Sequence, residues 1–329
     1  MQRAVRRNFY RTQLRRNLGA QRIQNAKISA IEILPAVPPS PTPTCTPTAT
    51  STPTHTPTPV VGLTSRTLTY GYDRLQRLTG ITYDSSPSYS YAYDKAGNRT
   101  DGRRTYDNAN QVVGWTYDNA GNLLSDGMTA RTYDALSRVL TSGTTTSAYN
   151  GDGTLISQTT GGTTTRYTQD LAAPLSQILQ SVVGSTRTSY LYGRERLAID
   201  GSPRTWFIGD ALGSVRQTLN DSGVALNATS YGPWGQPQST LNTPFGFTGE
   251  LQQGGEVYLR ARWYTPGSGR FVSVDPFAGF PEQPYSLNPY SHALGNPILL
   301  TDPSGRNVCE DHETSQGTPP SMDVTFWRS

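Results

Sequence analysis

A recurring Tyr-Asp pair constrains this chain more than any other feature. It occurs at Tyr72-Asp73, Tyr83-Asp84, Tyr93-Asp94, Tyr106-Asp107, Tyr117-Asp118 and Tyr133-Asp134, and once more as Tyr149-Asn150. The spacings are 11, 10, 13, 11, 16 and 16 residues, and ten of the nineteen tyrosines fall between Tyr70 and Tyr149. Strand-like alternation precedes the pairs: Tyr89, Tyr91 and Tyr93 stand at every second position and share one face of an extended chain. Three residues after the Asp or Asn comes Gly97, Asn110, Gly121 or Gly153. An Asx side chain that bonds backbone N–H groups, followed by a residue tolerant of positive φ, is the chemistry of a tight turn. Apolar pairs then resume, as in Val112-Val113, Leu123-Leu124 and Val139-Leu140. Each unit reads as strand, turn, strand.

A lone hairpin is marginal in water, so these units must stack into an antiparallel sheet whose tyrosines supply cross-strand contacts. The expected fold is mainly β, an array of antiparallel β-hairpins. At about eleven residues per hairpin, roughly 240 residues make on the order of twenty strands, which predicts an open curved sheet or partial spiral shell. Composition agrees. Hydrophobic residues are 34% and charged residues 16%, with 32 Gly and many Thr, a mixture suited to pleated surface and turns and unsuited to a helical bundle.

The net charge of +4 suggests a nucleic-acid partner until the charge is located. Residues 1–34 hold eight basic residues and one acid, Glu32, whereas the other 295 carry 20 basic against 23 acidic groups. The body is slightly acidic, so no nucleic-acid partner is expected. The basic arm 1–34 reads as helical or disordered. Residues 35–59 contain nine Pro and nine Thr, and this Pro/Thr linker, running to 62, should be extended and solvated. Such spacers are common in secreted and surface proteins, which points to an extracellular or cell-surface location. No signal peptide is visible in the chain, and no apolar run reaches transmembrane length. Cys45 and Cys309 are too few for a disulfide framework.

The Tyr-Asp-x-x-Gly repeats resemble those of the Rhs/YD-repeat family, found in bacterial polymorphic toxins, C subunits of insecticidal toxin complexes and teneurins. Three ordered motifs strengthen the resemblance. Trp206 to Ser239 is similar to the family segment that opens with Asp-His-Leu-Gly, with Ala211 in place of the His. Phe245 to Phe277 contains VYLRARWYTPGSGRF, similar to the hallmark of the Rhs repeat-associated core domain. Asn288 to Gly305 is similar to the core's closing motif, with His292 where an aromatic would stand. The implied organisation is arm 1–34, linker 35–62, YD repeats 63–200, core domain 201–305 and variable tail 306–329. Alternation in VYLRARWY predicts one strand with an apolar face at Val257, Leu259, Ala261 and Trp263 and a polar face at Tyr258, Arg260, Arg262 and Tyr264.

The resemblance implies a shell that holds a C-terminal cargo, and a core that in many members cuts itself after the closing motif using two aspartates. The matching positions are Asp275 and Asp302. One carboxylate would activate water while the other, protonated, polarises the scissile carbonyl near Gly305–Asn307. The bland alternative makes both residues turn-forming Asp-Pro pairs. Arg306 departs from the hydrophobic residue usual after the closing Gly. The tail after Gly305 is 24 residues long and polar, so the expectation is a shell segment without a full toxin domain. The expected partners are the chain's own C-terminal segment or a toxin cargo, with cell-surface glycans a further reading. No cofactor or metal is expected: Asn150, Asp152 and Thr154 lack the final Glu of an EF-hand loop, and no phosphate-binding or dinucleotide fingerprint is present.

Overall fold

The computed structural model describes residues 27–29, 67–83, 89–240, 242–281 and 283–306. The rest of the basic arm, the whole Pro/Thr linker, Asp84 of the second Tyr-Asp pair and the tail from 307 lie outside the described residues. The described residues contain twenty-one strands and only short 3₁₀ turns, so the expected number of about twenty strands and the mainly-β antiparallel fold hold.

The chain divides into two units. In the first, Lys27–Ser29, Thr67–Tyr72, Leu78–Tyr83 and Tyr89–Ser90 form a four-stranded sheet in that order. The second unit comprises Asp73–Leu78 and everything from Tyr91. Its largest element is an eleven-stranded antiparallel meander from Arg131–Tyr133 to Ala225–Ala228, each strand bonded to its neighbours in sequence. A second sheet of four strands, the core sheet, runs Leu251–Gln253, Glu256–Leu259, Arg262–Thr265 and Arg270–Phe271.

One local turn recurs eight times, opened by Asp73, Asp94, Asp107, Asp118, Asp134, Asn150, Asp210 and Asn220. At each, the Oδ1 accepts the N–H groups two and four residues on, as at Asp118 with Ala120 and Asn122 at 2.9 and 2.8 Å. The third residue is left-handed in every case and returns its N–H to the Asx carbonyl. Gly occupies that position at five turns, but Gln76, Asn110 and Ser137 adopt it too, with φ near 60°. The Asx cap therefore dictates the turn strongly enough to override the preference for glycine. Two of these, at Gln76 and Ser137, lack the Gly/Asn spacing signal, and the turns at Asp210 and Asn220 lie outside the Tyr-Asp pairs.

The tyrosines have a specific task beyond packing. Hydroxyls of Tyr93, Tyr106, Tyr133, Tyr149 and Tyr231 donate to the carbonyls of Leu78, Arg99, Leu123, Val139 and Val215, at 2.5–3.0 Å. Each acceptor is the fifth residue after a turn-opening Asp, and each except Arg99 is a buried aliphatic residue. The hydroxyl of one unit thus satisfies a carbonyl of another turn unit, which explains Tyr rather than Phe at the repeat. After the Asn150 turn the fifth residue, Leu155, is served instead by Gln169 on its carbonyl and by Tyr258 on its N–H.

The meander's inner face, with Val139, Leu155, Ile178, Tyr190 and Val215, packs together with Leu123 on Leu251, Tyr258, Trp263 and Val272 of the core region. A second cluster, Tyr231, Phe247, Val257, Leu259, Tyr264 and Phe271, covers the other side of the core sheet. VYLRARWY is accordingly not one strand. It turns at Arg260 (φ 57°) and Ala261, so that Val257 faces Tyr264, Tyr258 faces Trp263 and Leu259 faces Arg262. The expected polar face is buried, because both sides of this hairpin are covered.

Candidate functional site

Two arginines stand out in the buried core hairpin. Arg262 shares a sheet face with Val257, Tyr264 and Phe271, and its guanidinium lies 3.5 Å above the Phe271 ring. Its side chain is 1% exposed, so each N–H needs a partner. Nη1 donates to the Pro289 carbonyl at 3.0 Å, and Nε donates to the Gly305 carbonyl. Nη2 meets the Oδ2 atoms of both Asp275, at 2.6 Å, and Asp302, at 3.3 Å. The two aspartates picked out in the sequence are thus brought to a single nitrogen.

Their Oδ1 atoms have a different role. Asp275 Oδ1 accepts the Phe277 N–H at 2.8 Å. Asp302 Oδ1 accepts the Arg306 N–H at 3.0 Å and the Ser304 hydroxyl at 3.1 Å, while the left-handed Gly305 donates its N–H to the Asp302 carbonyl. The turn at Asp302 follows the recurring plan of the repeats. Both aspartates are turn caps on one oxygen and ion-pair partners on the other, so the bland and the chemical readings describe different atoms of the same side chains.

One guanidinium faces two carboxylates in a dry site. Burial raises the Asp302 carboxyl above the ordinary range against the pull of Arg262. Burial also pushes Asp275 up to about 6, again with Arg262 opposing. Desolvation wins because Arg262 cannot neutralise both groups. The arrangement favours a proton on one carboxylate, the state that acid–base work by a carboxyl pair requires.

The same hairpin fixes the closing segment. Arg260 Nη1 donates to the Pro303 carbonyl, the Ala261 N–H to Ser304 at 3.2 Å, and Arg262 Nε to Gly305. Three consecutive carbonyls are held by three consecutive residues. Arg260 is itself anchored to Glu250 at 2.8 Å and to the Ser176 carbonyl at 3.1 Å. Gly305 sits against the Leu259 carbonyl with no room for a Cβ and with φ of 68°, so only Gly fits there. Sequence reasoning missed Arg260 and Arg262 as site residues. The available signal was two arginines inside an otherwise apolar buried run.

His292, standing where an aromatic was expected, behaves as one. It stacks on Tyr264 with ring centroids 4.1 Å apart, is fully buried, and is held neutral, its pKa lowered to about 3 by burial and then by Arg262. The Asn150, Asp152 and Thr154 group is a capped turn, and no cluster of three His, Cys, Asp or Glu suited to a metal occurs among the described residues. Among these residues no helix is long and apolar enough to cross a membrane. Neither the geometry nor the relatives support glycan recognition.

Comparison with known proteins gives a consistent result. The chain is 27% identical over 258 residues to the tRNA3(Ser)-specific nuclease WapA of Bacillus spizizenii, covering 74% of this chain but 10% of that protein. It is 35% identical over 96 residues to toxin protein Tse5 of Pseudomonas aeruginosa, covering 29% of this chain and 7% of Tse5. The chain therefore spans about a tenth or less of the length of these curated relatives. Among solved structures, TcdB2-TccC3 without its hypervariable C-terminal region matches with a TM-score of 0.57 at 18% identity, over 73% of this chain and 15% of that one. The Tc holotoxin pore of Photorhabdus luminescens matches at 0.51 and 18%, over 77% of this chain and 14% of that one. The Teneurin YD-shell family model matches residues 55–298, the repeats and nearly all of the core. With its capped Tyr-Asp turns and its core hairpin, this chain belongs to the YD-shell family, in its Rhs-type form.

Proposed function

We propose that this chain is a wall and end-piece of an Rhs-type shell that holds or presents a C-terminal cargo outside the cell. The observation that carries the reading is the clamp on residues 303–305, which fixes the point where the chain leaves the core. A cargo joined after Arg306 is then displayed from a rigid anchor. Limited proteolysis with mass mapping of fragments tests this. Cutting should start beyond Arg306, and Arg260→Gln should move the first cut upstream of Gly305. Cleavage between 295 and 305 in the unaltered chain would remove the anchor and the reading with it.

A second reading rests on Asp275 and Asp302: the core cuts its own chain at Gly305–Asn307, releasing the tail. Arg262 Nε on the Gly305 carbonyl would draw electron density from that carbon, while one carboxylate takes a proton from water and the other donates one. Asp275, at 15% side-chain exposure against 2% for Asp302, is the better placed to meet water. Intact mass of the purified chain should show loss of the tail, and Asp275→Asn should abolish it. A chain that stays at full length excludes self-cleavage and leaves the anchor reading standing.

A further inference from the structure

Six of the eight recurring turns are opened by Asp and two by Asn, and the geometry points to Asn150 as a site of self-catalysed deamidation that converts the seventh repeat to Tyr-Asp. Asn150-Gly151 is the single Asn-Gly dipeptide of the chain. The turn already supplies the parts that the reaction needs. Oδ1 accepts the Asp152 and Thr154 N–H groups at 3.0 and 2.8 Å, so charge developing on this oxygen during attack at Cγ meets two fixed donors. Among the described residues, Nδ2 of Asn150 and the N–H of Gly151 have no hydrogen-bond partner, which leaves both leaving group and nucleophile unencumbered. Gly151 is exposed and has no Cβ to crowd the approach.

The Gly151 nitrogen loses its proton to solvent base and bonds to Cγ. The Cγ–Nδ2 bond breaks, and ammonia leaves with a proton. Water then opens the succinimide. Opening at the side-chain carbonyl gives Asp, whose carboxylate caps the turn as Asp73, Asp94, Asp107, Asp118, Asp134 and Asp210 do. Opening at the main-chain carbonyl gives isoaspartate, whose added methylene carries the cap out of register. The second Asn turn is an internal control. Asn220 precedes Asp221, whose carboxylate is engaged by Trp206 Nε1 at 2.9 Å and by the Arg204 N–H at 3.1 Å, so its backbone nitrogen is flanked by an ordered side chain.

The test is ageing of the full native chain in mildly alkaline buffer, followed by peptide mass mapping beside a synthetic peptide of residues 146–154. Amide-to-acid conversion should appear at Asn150, at least as fast as in the free peptide, and not at Asn220. A Cβ at 151 meets no atom within 4 Å and Gly151 has ordinary φ, so Gly151→Ala should keep the melting temperature. It should slow conversion on the order of tenfold, by raising the barrier to ring closure. Asn150→Asp should melt with the unaged chain, whereas an isoaspartate fraction should melt lower. Conversion slower in the native chain than in the peptide, or equal at Asn150 and Asn220, would overturn the assignment.

Discussion

The repeat turns and the core hairpin handle buried polar groups in opposite ways. At a repeat turn nearly every hydrogen bond closes within four residues, and one tyrosine hydroxyl reaches a neighbouring unit. In the core, Arg262 ties together Pro289, Gly305, Asp275 and Asp302, and Arg270 joins Asn98 and Asn110 over the rings of Tyr106 and Tyr290. A repeat turn can lose a partner and be served by a substitute, as Leu155 is. The core has no such slack, because its charges are buried and shared.

That contrast is broken most severely at Arg262. Arg262→Met leaves two buried carboxylates without a cation and should cost about 3–5 kcal/mol, read by denaturant unfolding. Combining it with Asp275→Asn and Asp302→Asn should recover much of the loss, because the amides keep the Oδ1 caps, as Asn150 and Asn220 do in their turns. Failure of the triple variant to recover would mean that the guanidinium holds the closing segment through its carbonyl bonds rather than through its charge.

The difference also explains what could be read from the amino-acid order. The turns after Tyr93, Tyr106, Tyr117 and Tyr149 are announced because the Asx cap and the left-handed Gly or Asn sit at fixed short spacing. Asp275 and Asp302 were visible through motif resemblance. Arg262 between them was not, because its partners lie 13 to 43 residues away and its strand alternation suggested solvent. The false single strand over VYLRARWY has the same origin: a non-glycine residue, Arg260, takes the left-handed turn position, held there by Glu250, Ser176 and Pro303. Long-range bonds overrode a local pattern.

A middle-sized effect separates buried His292 from the core carboxyls Asp275 and Asp302, both of which burial raises. His292 folds neutral, lowered from 6.5 to about 3, so the unfolded chain binds more protons and stability falls as pH drops through that window. The loss should reach roughly 2–4 kcal/mol. Asp275 has the opposite sign. Raised from 3.8 to about 6, it binds more protons when folded, so acidification through 6 stabilises. The two oppose each other in the unaltered chain. His292→Phe keeps the stacked ring against Tyr264 and removes the first term, so this variant should gain stability between pH 7 and 4 where the parent loses it. Thermal melts across that range read the sign directly. Equal slopes would place the titration elsewhere.

The smallest effect probes the repeat side. Tyr106→Phe removes one hydroxyl bond, to the Arg99 carbonyl, and should cost about 1 kcal/mol. Tyr133→Phe strips a donor from two carbonyls at once, Leu123 at 2.9 Å and Val272 at 3.0 Å. Val272 follows the last core strand, so this hydroxyl joins turn to core; the Val272 carbonyl keeps the Leu123 N–H at 2.8 Å, and the loss should cost only somewhat more, about 1–2 kcal/mol. Both variants keep the ring and its apolar burial, so the comparison isolates the hydroxyl. If Tyr133→Phe is no worse than Tyr106→Phe, the hydroxyl bond to Val272 contributes nothing, and this turn is joined to the core by the Leu123 N–H bond to the Val272 carbonyl and by ring packing. If both are neutral, the tyrosine of the repeat is a choice of shape, and phenylalanine should serve in its place throughout.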